Sequence, residues 1–315
     1  MNSNYPLVSV LIITYNSSKY VLETLESIKS QTYQNIELII SDDCSIDDTV
    51  CICSRWIEIN KSRFINAHLV TTKENTGTAG NCNRALNMSS GKWLKFLGAD
   101  DLLMPDAITT YVNFVEGTNM NVVIGEAIHF SGNLSDKLFT YERIALENLV
   151  FSKKITANQQ YHILSKQFIG SGPTLFVSKE CVLKVGAFDE RYSLQEDYPL
   201  FINLTKAGYK MFLLPVDTIY KRVHDDSVSH NKGNNAIYPS MIIKCIIDYR
   251  YEFKRKELGP VWRKFLDFSL WLHRKVIESG NNNTKFSCRC WYFAQQYFDP
   301  FEWYSRLLNL ISKLL

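Results

Sequence analysis

Three pairs of adjacent carboxylates stand out along the chain: Asp42-Asp43, Asp100-Asp101 and Glu196-Asp197. The second is the most pointed. The apolar run Trp93-Leu94-Lys95-Phe96-Leu97-Gly98 ends abruptly in Ala99-Asp100-Asp101, shortly before a helix signal at Pro105. Carboxylates are seldom buried unless paired, protonated or bound to a metal, so two of them at the mouth of an α/β sheet suggest a cation site. Read locally, Asp100 or Asp101 serves equally well as a cap for the helix near Pro105. Glu196-Asp197 opens a helical pattern that runs to Gly208, where acids complement the helix dipole. Local sequence leaves both alternatives open, and the elements that carry the pairs have to separate them.

Those elements alternate. Residues 8–15 form a nearly continuous β-branched run, as expected for a strand covered on both faces. Asn16-Ser17-Ser18 reads as a turn and cap before a helix with Val21, Leu22, Leu25 and Ile28 on one face. Further strands are expected at 36–40, near 68–71 and at 93–97, with helices through Trp56 and from Gly77 between them. Strand and helix at this spacing predict a largely parallel α/β sheet, in which ligands bind beyond the carboxyl ends of the strands. Asp42-Asp43 and Asp100-Asp101 then share one crevice, which weakens the capping explanation for both.

Composition narrows the class. With 315 residues and 46% hydrophobic content the chain is globular and able to bury a large core. Residues 230–315 carry 14 Lys+Arg against 7 Asp+Glu, while the remainder carries 21 against 25. A nucleic-acid-binding protein would be basic throughout, so none is expected as a partner. The eight cysteines include two Cys-x-Cys pairs but no zinc spacing, and the start does not resemble a signal peptide. Reduced thiols and a cytoplasmic location are the expectation. No apolar stretch reaches the roughly 18–20 residues of a membrane span.

Residues 8–16, the stretch Glu37-Leu38-Ile39-Ile40-Ser41-Asp42-Asp43-Cys44-Ser45, Asn75-Thr76-Gly77 and the stretch from Gly91 to Asp101 together resemble family 2 glycosyltransferases in order and spacing. The resemblance covers about residues 6–230. It implies a GT-A fold, a nucleotide-diphosphate sugar as donor, most simply UDP-linked, Mg²⁺ or Mn²⁺, and inversion at the sugar. It implies that Ile13, Thr14 and Tyr15, Asp43 and Gly77 hold the nucleotide. A carboxylate at Asp43 suits the imide N–H of uracil, which an apolar side chain would leave unpaired. Asp100 falls on the principal metal ligand, and Asp101 on a supporting contact to metal or ribose. Two departures are visible: the first acid of the usual Asp-x-Asp falls on Gly98, and the basic residue expected near the nucleotide falls on Cys82. Arg84, two positions further along the helix, is expected to point away as a solvated arginine.

In the second half a helix is expected to about residue 116, strands at 122–125 and 128–130, and one or two helices within 131–165. His129 and His162 read as structural. Ser171-Gly172-Pro173-Thr174 and Leu194-Gln195-Glu196-Asp197 resemble the acceptor side of the family, with Asp197 matching the general base and Glu196 beside it. Tyr220-Lys221-Arg222-Val223-His224 and residues 225–230 resemble its closing segment, which would bring Arg222 and Lys221 to phosphate oxygens and His224 to the metal. Domain limits follow: 1–235 catalytic, divided at 104/105, then a helical region over 236–315. That region has Ile242, Ile243, Ile246 and Ile247 first, then aromatic, basic helices separated by Gly280-Asn281-Asn282-Asn283. Such helices either pack on the catalytic domain or a partner, or lie peripherally on the cytoplasmic face of an anionic membrane.

The expected function is inverting sugar transfer onto an acceptor hydroxyl of a surface polysaccharide or O-antigen, or of its lipid-linked intermediate. Gly98 and Cys82 favour a competing possibility, a silent sugar-nucleotide-binding or scaffolding protein. A sugar-phosphate nucleotidyltransferase would need a Gly-rich, Arg-containing loop where Tyr15-Asn16-Ser17-Ser18 stands.

Overall fold

The computed structural model describes residues 5–132, 134, 138–139, 145–167, 169–192, 195–224, 235–238, 243 and 253–314. Ile242, Ile246 and Ile247 of the expected helix, and the segment 225–230, lie outside them. The chain divides into two compact units. The first comprises residues 1–141, 151–158 and 170–222; the second comprises 142–150, 159–169 and 223–315. This division falls thirteen residues before the expected limit, and it gives the second unit two segments expected in the catalytic domain.

The first unit opens with β1 (Val8–Thr14), α1 (Val21–Lys29), β2 (Ile36–Asp42), α2 (Thr49–Asn60), β3 (Asn66–Thr71), α3 (Gly77–Met88) and β4 (Trp93–Gly98). It continues through β5 (Leu102–Leu103), α4 (Ala107–Val115), β6 (Val122–Phe130) and β7 (Leu138–Phe139). α5 (Ala145–Val150) belongs to the second unit, and α6 (Ala157–Leu164) straddles the division. The first unit closes with β8 (Leu175–Ser178), α7 (Lys179–Lys184), α8 (Asp197–Lys206) and β9 (Met211–Arg222).

β1 and β2 are almost wholly buried along their length, as continuous apolar strands covered on both faces must be. The sheet runs β3-β2-β1-β4-β8-β6-β9-β5, with β7 beside β6. β3, β2, β1 and β4 are mutually parallel. The order reverses between β1 and β4, the crevice where open α/β sheets bind ligands. Register places Thr14 opposite Asp42 and Ile13 opposite Gly98, so the three strands end at one edge with their acidic pairs just beyond. β8 then enters antiparallel to β4 and β6, while β9 runs parallel to β6.

The two strands expected at 122–125 and 128–130 are one, β6, with register shifts around Glu126. Neither Asp100 nor Asp101 caps α4: β5 intervenes and Asp106 precedes the helix. Nor does Asn16-Ser17-Ser18 cap α1. Asn16 adopts φ of 48° and ties instead to the 42–49 loop, its N–H donating to Ser45 Oγ and its Oδ1 accepting from Ile46. The 16–18 turn also binds Asp47, which accepts from the Ser18 N–H and the Thr49 side chain and N–H. Burial opposes ionisation of Asp47, but those donors outweigh it and hold the carboxyl at about 2.

In the second unit, α9 (Arg255–Glu257), α10 (Pro260–Glu278), α11 (Phe286–Phe298) and α12 (Pro300–Leu314) follow. Leu258, Leu266 and Leu270 pack with Trp262 and Phe301, and Val276 and Cys288 pack with Tyr238 and Trp291. Asn281, at φ of 48°, ends α10 and clips Tyr238 through both its amide oxygen and its amide nitrogen.

Candidate active site

Asp43, one residue beyond β2, is buried at the start of α3. The Thr76 N–H donates to both its oxygens at 3.0 Å, the Gly77 N–H donates at 2.8 Å and the Thr76 hydroxyl at 2.6 Å. Gly77 adopts φ of 78°, a left-handed conformation that a side chain would strain. Arg84 is not solvated as expected. Its Nη2 meets Asp43 Oδ1 at 3.1 Å, and the guanidinium also reaches Ser41 Oγ, the Asp42 carbonyl, Asn81 Oδ1 and Thr76 Oγ1. A position counted along the helix gave no hint of this, because α3 tilts its first turns into the end of β2. Asp43→Ala would open the start of α3 and leave a half-buried guanidinium without its carboxylate. The expected loss is about 3 kcal/mol of folding stability, read from the denaturant midpoint.

Of the residues expected beside the nucleotide, the Thr14 carbonyl accepts from the Asp43 N–H and from Asn81 Nδ2, both at 3.0 Å. The Ile13 carbonyl accepts from the Ala99 N–H, and Tyr15 is half exposed. These bonds lock the ends of β1, β2 and β4 together.

Asp100 and Asp101 form a turn over Gly98. A Cβ at Gly98 would lie 2.8 Å from Asp100 Oδ1 and 4.0 Å from Asp101 Oδ2, so the two carboxylates converge above a backbone with no side chain of its own. Asp101 is buried; its Oδ1 accepts from the Arg222 N–H at 2.9 Å and its carbonyl from Thr24 Oγ1 at 2.8 Å. Burial and then the Asp100 charge raise the Asp101 carboxyl, against the pull of Lys221, the Arg222 N–H and Lys95. Two crowded carboxylates beside open backbone fit a divalent cation that takes one or two protein oxygens and completes its shell with substrate phosphates. Among the described residues no three His, Cys, Asp or Glu side chains gather as a metal site.

Arg222, expected at phosphate, is buried and engaged within the fold. Its Nε donates to the Asp100 carbonyl, Nη1 to the Gly132 carbonyl and Nη2 to Glu23, and the guanidinium lies between the rings of Tyr20 and Phe130 at 4.6 and 4.5 Å. The Lys221 charge steadies the ionised forms of both Asp101 and Asp197. His224 follows β9 by two residues and belongs to the second unit.

Glu196 and Asp197 begin α8. The Gly172 N–H donates to Asp197 Oδ2 at 3.1 Å, and Gly172 is close enough that a Cβ there would meet that oxygen at 3.0 Å. Burial and then the Asp197 charge raise the Glu196 carboxyl; burial raises Asp197 too, opposed by the Gly172 and Tyr198 N–H groups and by Lys221. The buried Cys82 thiol is pushed well up by burial and then by the charges of Glu196, Asp197 and Asp43. Cys82 thus feels acids from the end of β2 and from α8, and Lys221 acts on acids from the end of β4 and from α8.

One contributor was missed in the sequence. Lys95, in the middle of β4, is fully buried; its ammonium donates to the carbonyls of Pro173 and Leu175 and lies 5.6 Å from the Tyr111 ring. Burial lowers it to about 7, with Asp101 opposing. It pins the turn whose Gly172 N–H holds Asp197, and the Tyr111 hydroxyl donates to the Thr174 carbonyl of the same turn at 2.6 Å. A lysine inside an otherwise apolar strand was the available signal.

A parallel half-sheet with two acidic pairs at its switch point, joined to a mixed half with a third pair at the start of α8, is the architecture of a GT-A enzyme. The Glycosyl transferase family 2 profile matches residues 9–185, and the chain belongs to that family. It is 32% identical over 242 residues to the UDP-Glc:alpha-D-GlcNAc-diphosphoundecaprenol beta-1,3-glucosyltransferase WfaP of Escherichia coli, covering 76% of this chain and 86% of WfaP. The fold resembles S. aureus TarS 1-349 in complex with UDP-GlcNAc, with a TM-score of 0.58 at 16% identity over 97% of this chain and 89% of that one. It also resembles the mannosyltransferase PcManGT of Pyrobaculum calidifontis in complex with GDP-Man and Mn²⁺, with a TM-score of 0.54 at 18% identity over 99% and 87%.

Proposed function

We propose that this glycosyltransferase moves a sugar, with inversion, from a UDP-linked donor to a hydroxyl of a lipid-linked or growing surface glycan. The convergence of Asp43 and Asp100-Asp101 at the shared edge where β1, β2 and β4 end carries the reading. WfaP, whose name specifies a UDP-sugar and a lipid-diphosphate acceptor, supports the donor and acceptor classes.

In this reading the nucleotide lies along the ends of β1 and β2, with Asp43 at the base. Asp100 and Asp101 would hold Mg²⁺ or Mn²⁺, which when bound neutralises charge developing on the departing diphosphate as a Lewis acid. Lys221 adds a positive charge from β9, and Arg222 positions the turn that carries both acids. On the opposite face of the reacting carbon, Asp197 takes the proton of the acceptor hydroxyl as the new bond forms. A single in-line displacement inverts the anomeric carbon.

The test is a panel of UDP- and dTDP-sugars assayed by release of free nucleotide, with and without Mn²⁺. Release with one donor supports the enzyme. Tight nucleotide binding with no release and no transfer to any acceptor would favour a silent sugar-nucleotide-binding protein.

The acidic pair makes the pH dependence specific. Burial holds the Asp197 carboxyl above the ordinary carboxylate range, so activity falls as pH drops through that raised value. Burial and then the Asp197 charge push Glu196 up to about 8, so Asp197 ionises first and Glu196 is still neutral on the acid limb. Glu196→Gln therefore leaves the acid limb of the pH–rate profile in place. Loss of activity together with that limb would identify Glu196, not Asp197, as the base.

A further inference from the structure

In the second unit, α11 and α12 turn apolar faces outward. Phe286, Phe293 and Tyr297 recur along one side of α11, and Trp303, Leu307 and Leu310 along one side of α12, both at helical spacing. Phe286, Phe293, Trp303, Leu307 and Leu310 are each more than half exposed. The inward side of α12 carries Phe301 and Tyr304, packed on Trp262, and Ser305, bonded to Gln167. The stripes meet where the Trp303 indole N–H donates to the Tyr297 carbonyl at 2.6 Å.

Charge identifies what covers this face. Arg289, Arg306 and Lys313 are exposed, each three positions after a stripe residue, so the cations line the same flank of both helices. Of the acids in this stretch, Asp299 is buried, accepting from Ser269 Oγ at 2.5 Å and from the Phe301 N–H. Glu302 is the remaining one. A protein partner with a matching apolar surface would not require cations flanking both stripes. An anionic lipid surface does, with basic side chains at the headgroups and Trp and Tyr at the boundary. Among the described residues no helix is long and apolar enough to cross a membrane, so contact of this kind lies in the surface plane.

We infer that the outward faces of α11 and α12 form a docking surface for an anionic lipid bilayer, with Trp303, Leu307 and Leu310 as its apolar anchor. The inference is independent of which sugar the enzyme transfers, and its readout does not require catalysis.

The test is co-sedimentation of the full chain with vesicles of phosphatidylglycerol and phosphatidylcholine, against phosphatidylcholine alone. The chain binds the anionic vesicles, and added salt weakens binding. Trp303→Ser/Leu307→Ser/Leu310→Ser lowers the partition coefficient at least about tenfold with an unchanged melting temperature, since all three side chains are exposed. Arg289→Gln/Lys313→Gln weakens binding about fivefold for each charge removed, on anionic vesicles only. The inference is overturned if the wild-type chain does not sediment with anionic vesicles, or if the triple variant binds them equally well. It is also overturned if the face holds a second copy instead, seen as a dimer in sedimentation equilibrium that the triple variant dissociates without any vesicle binding.

Discussion

Asp197→Asn is expected to lower the rate of sugar transfer about 10²–10⁴-fold, the range over which a positioned base acts. The substitution preserves volume, and the amide oxygen can still accept the Gly172 N–H that Asp197 Oδ2 now accepts at 3.1 Å. What is lost is the capacity to take a proton. The nucleotide-binding end of the sheet lies on other elements, β1, β2 and α3, so donor affinity measured by calorimetry should stay within a few-fold while kcat falls. A kcat within threefold of wild type would place the base elsewhere. Glu196→Gln should have a smaller effect on kcat, because the amide replaces a carboxyl that burial and the Asp197 charge already favour as neutral.

Asp100→Ala is expected to remove the gain in UDP affinity that Mn²⁺ provides, and to reduce transfer about 10³-fold, in line with the several kcal/mol that a Lewis acid contributes to developing charge. The structure gives this residue unusual weight. The acid that resemblance would place at position 98 is absent, and Asp100 Oδ1 sits 2.8 Å from where a Cβ of that residue would be. Asp100 Oδ1 therefore lies where a side chain at position 98 would crowd it. Asp101 is held in place by the Arg222 N–H and is buried, so it is a poor replacement. Calorimetry with UDP alone and with UDP plus Mn²⁺ separates the effects. If the variant retains the metal-dependent gain, the cation is held by other groups; if it loses UDP binding even without metal, the turn over Gly98 has collapsed and the result concerns folding.

The enzyme family, the parallel half of the sheet and the identity of the acidic pairs were legible in the sequence. Each rests on short-range pattern: β-branched runs such as residues 8–15, alternation with helices, and acids placed where such runs stop. Strand ends in a parallel sheet share an edge by construction, so Asp43 and Asp100 could be assigned to one crevice without coordinates.

What the tertiary structure decided depends on contacts between segments far apart in sequence. β9 was not foreseen, because Pro215 and Asp217 interrupt its pattern, yet its pairing with β6 and β5 sets Lys221 near both Asp101 and Asp197 and turns Arg222 into the fold. Arg84 read as solvated by helix position, and only the approach of α3 to the end of β2 reveals its pairing with Asp43. Lys95 appeared as one polar residue in an apolar run; the turn at 172–174, nearly eighty residues on, provides its acceptors and links it to the general-base candidate. The outward set of the α11 and α12 stripes is of the same kind. Periodicity shows that a helix has an apolar side, but which side the rest of the unit covers is a property of packing. The stretch around Asp100 and Asp101 was recognised from residue types alone, whereas its shape, an acid leaning over a glycine and braced from β9, belongs to the folded chain.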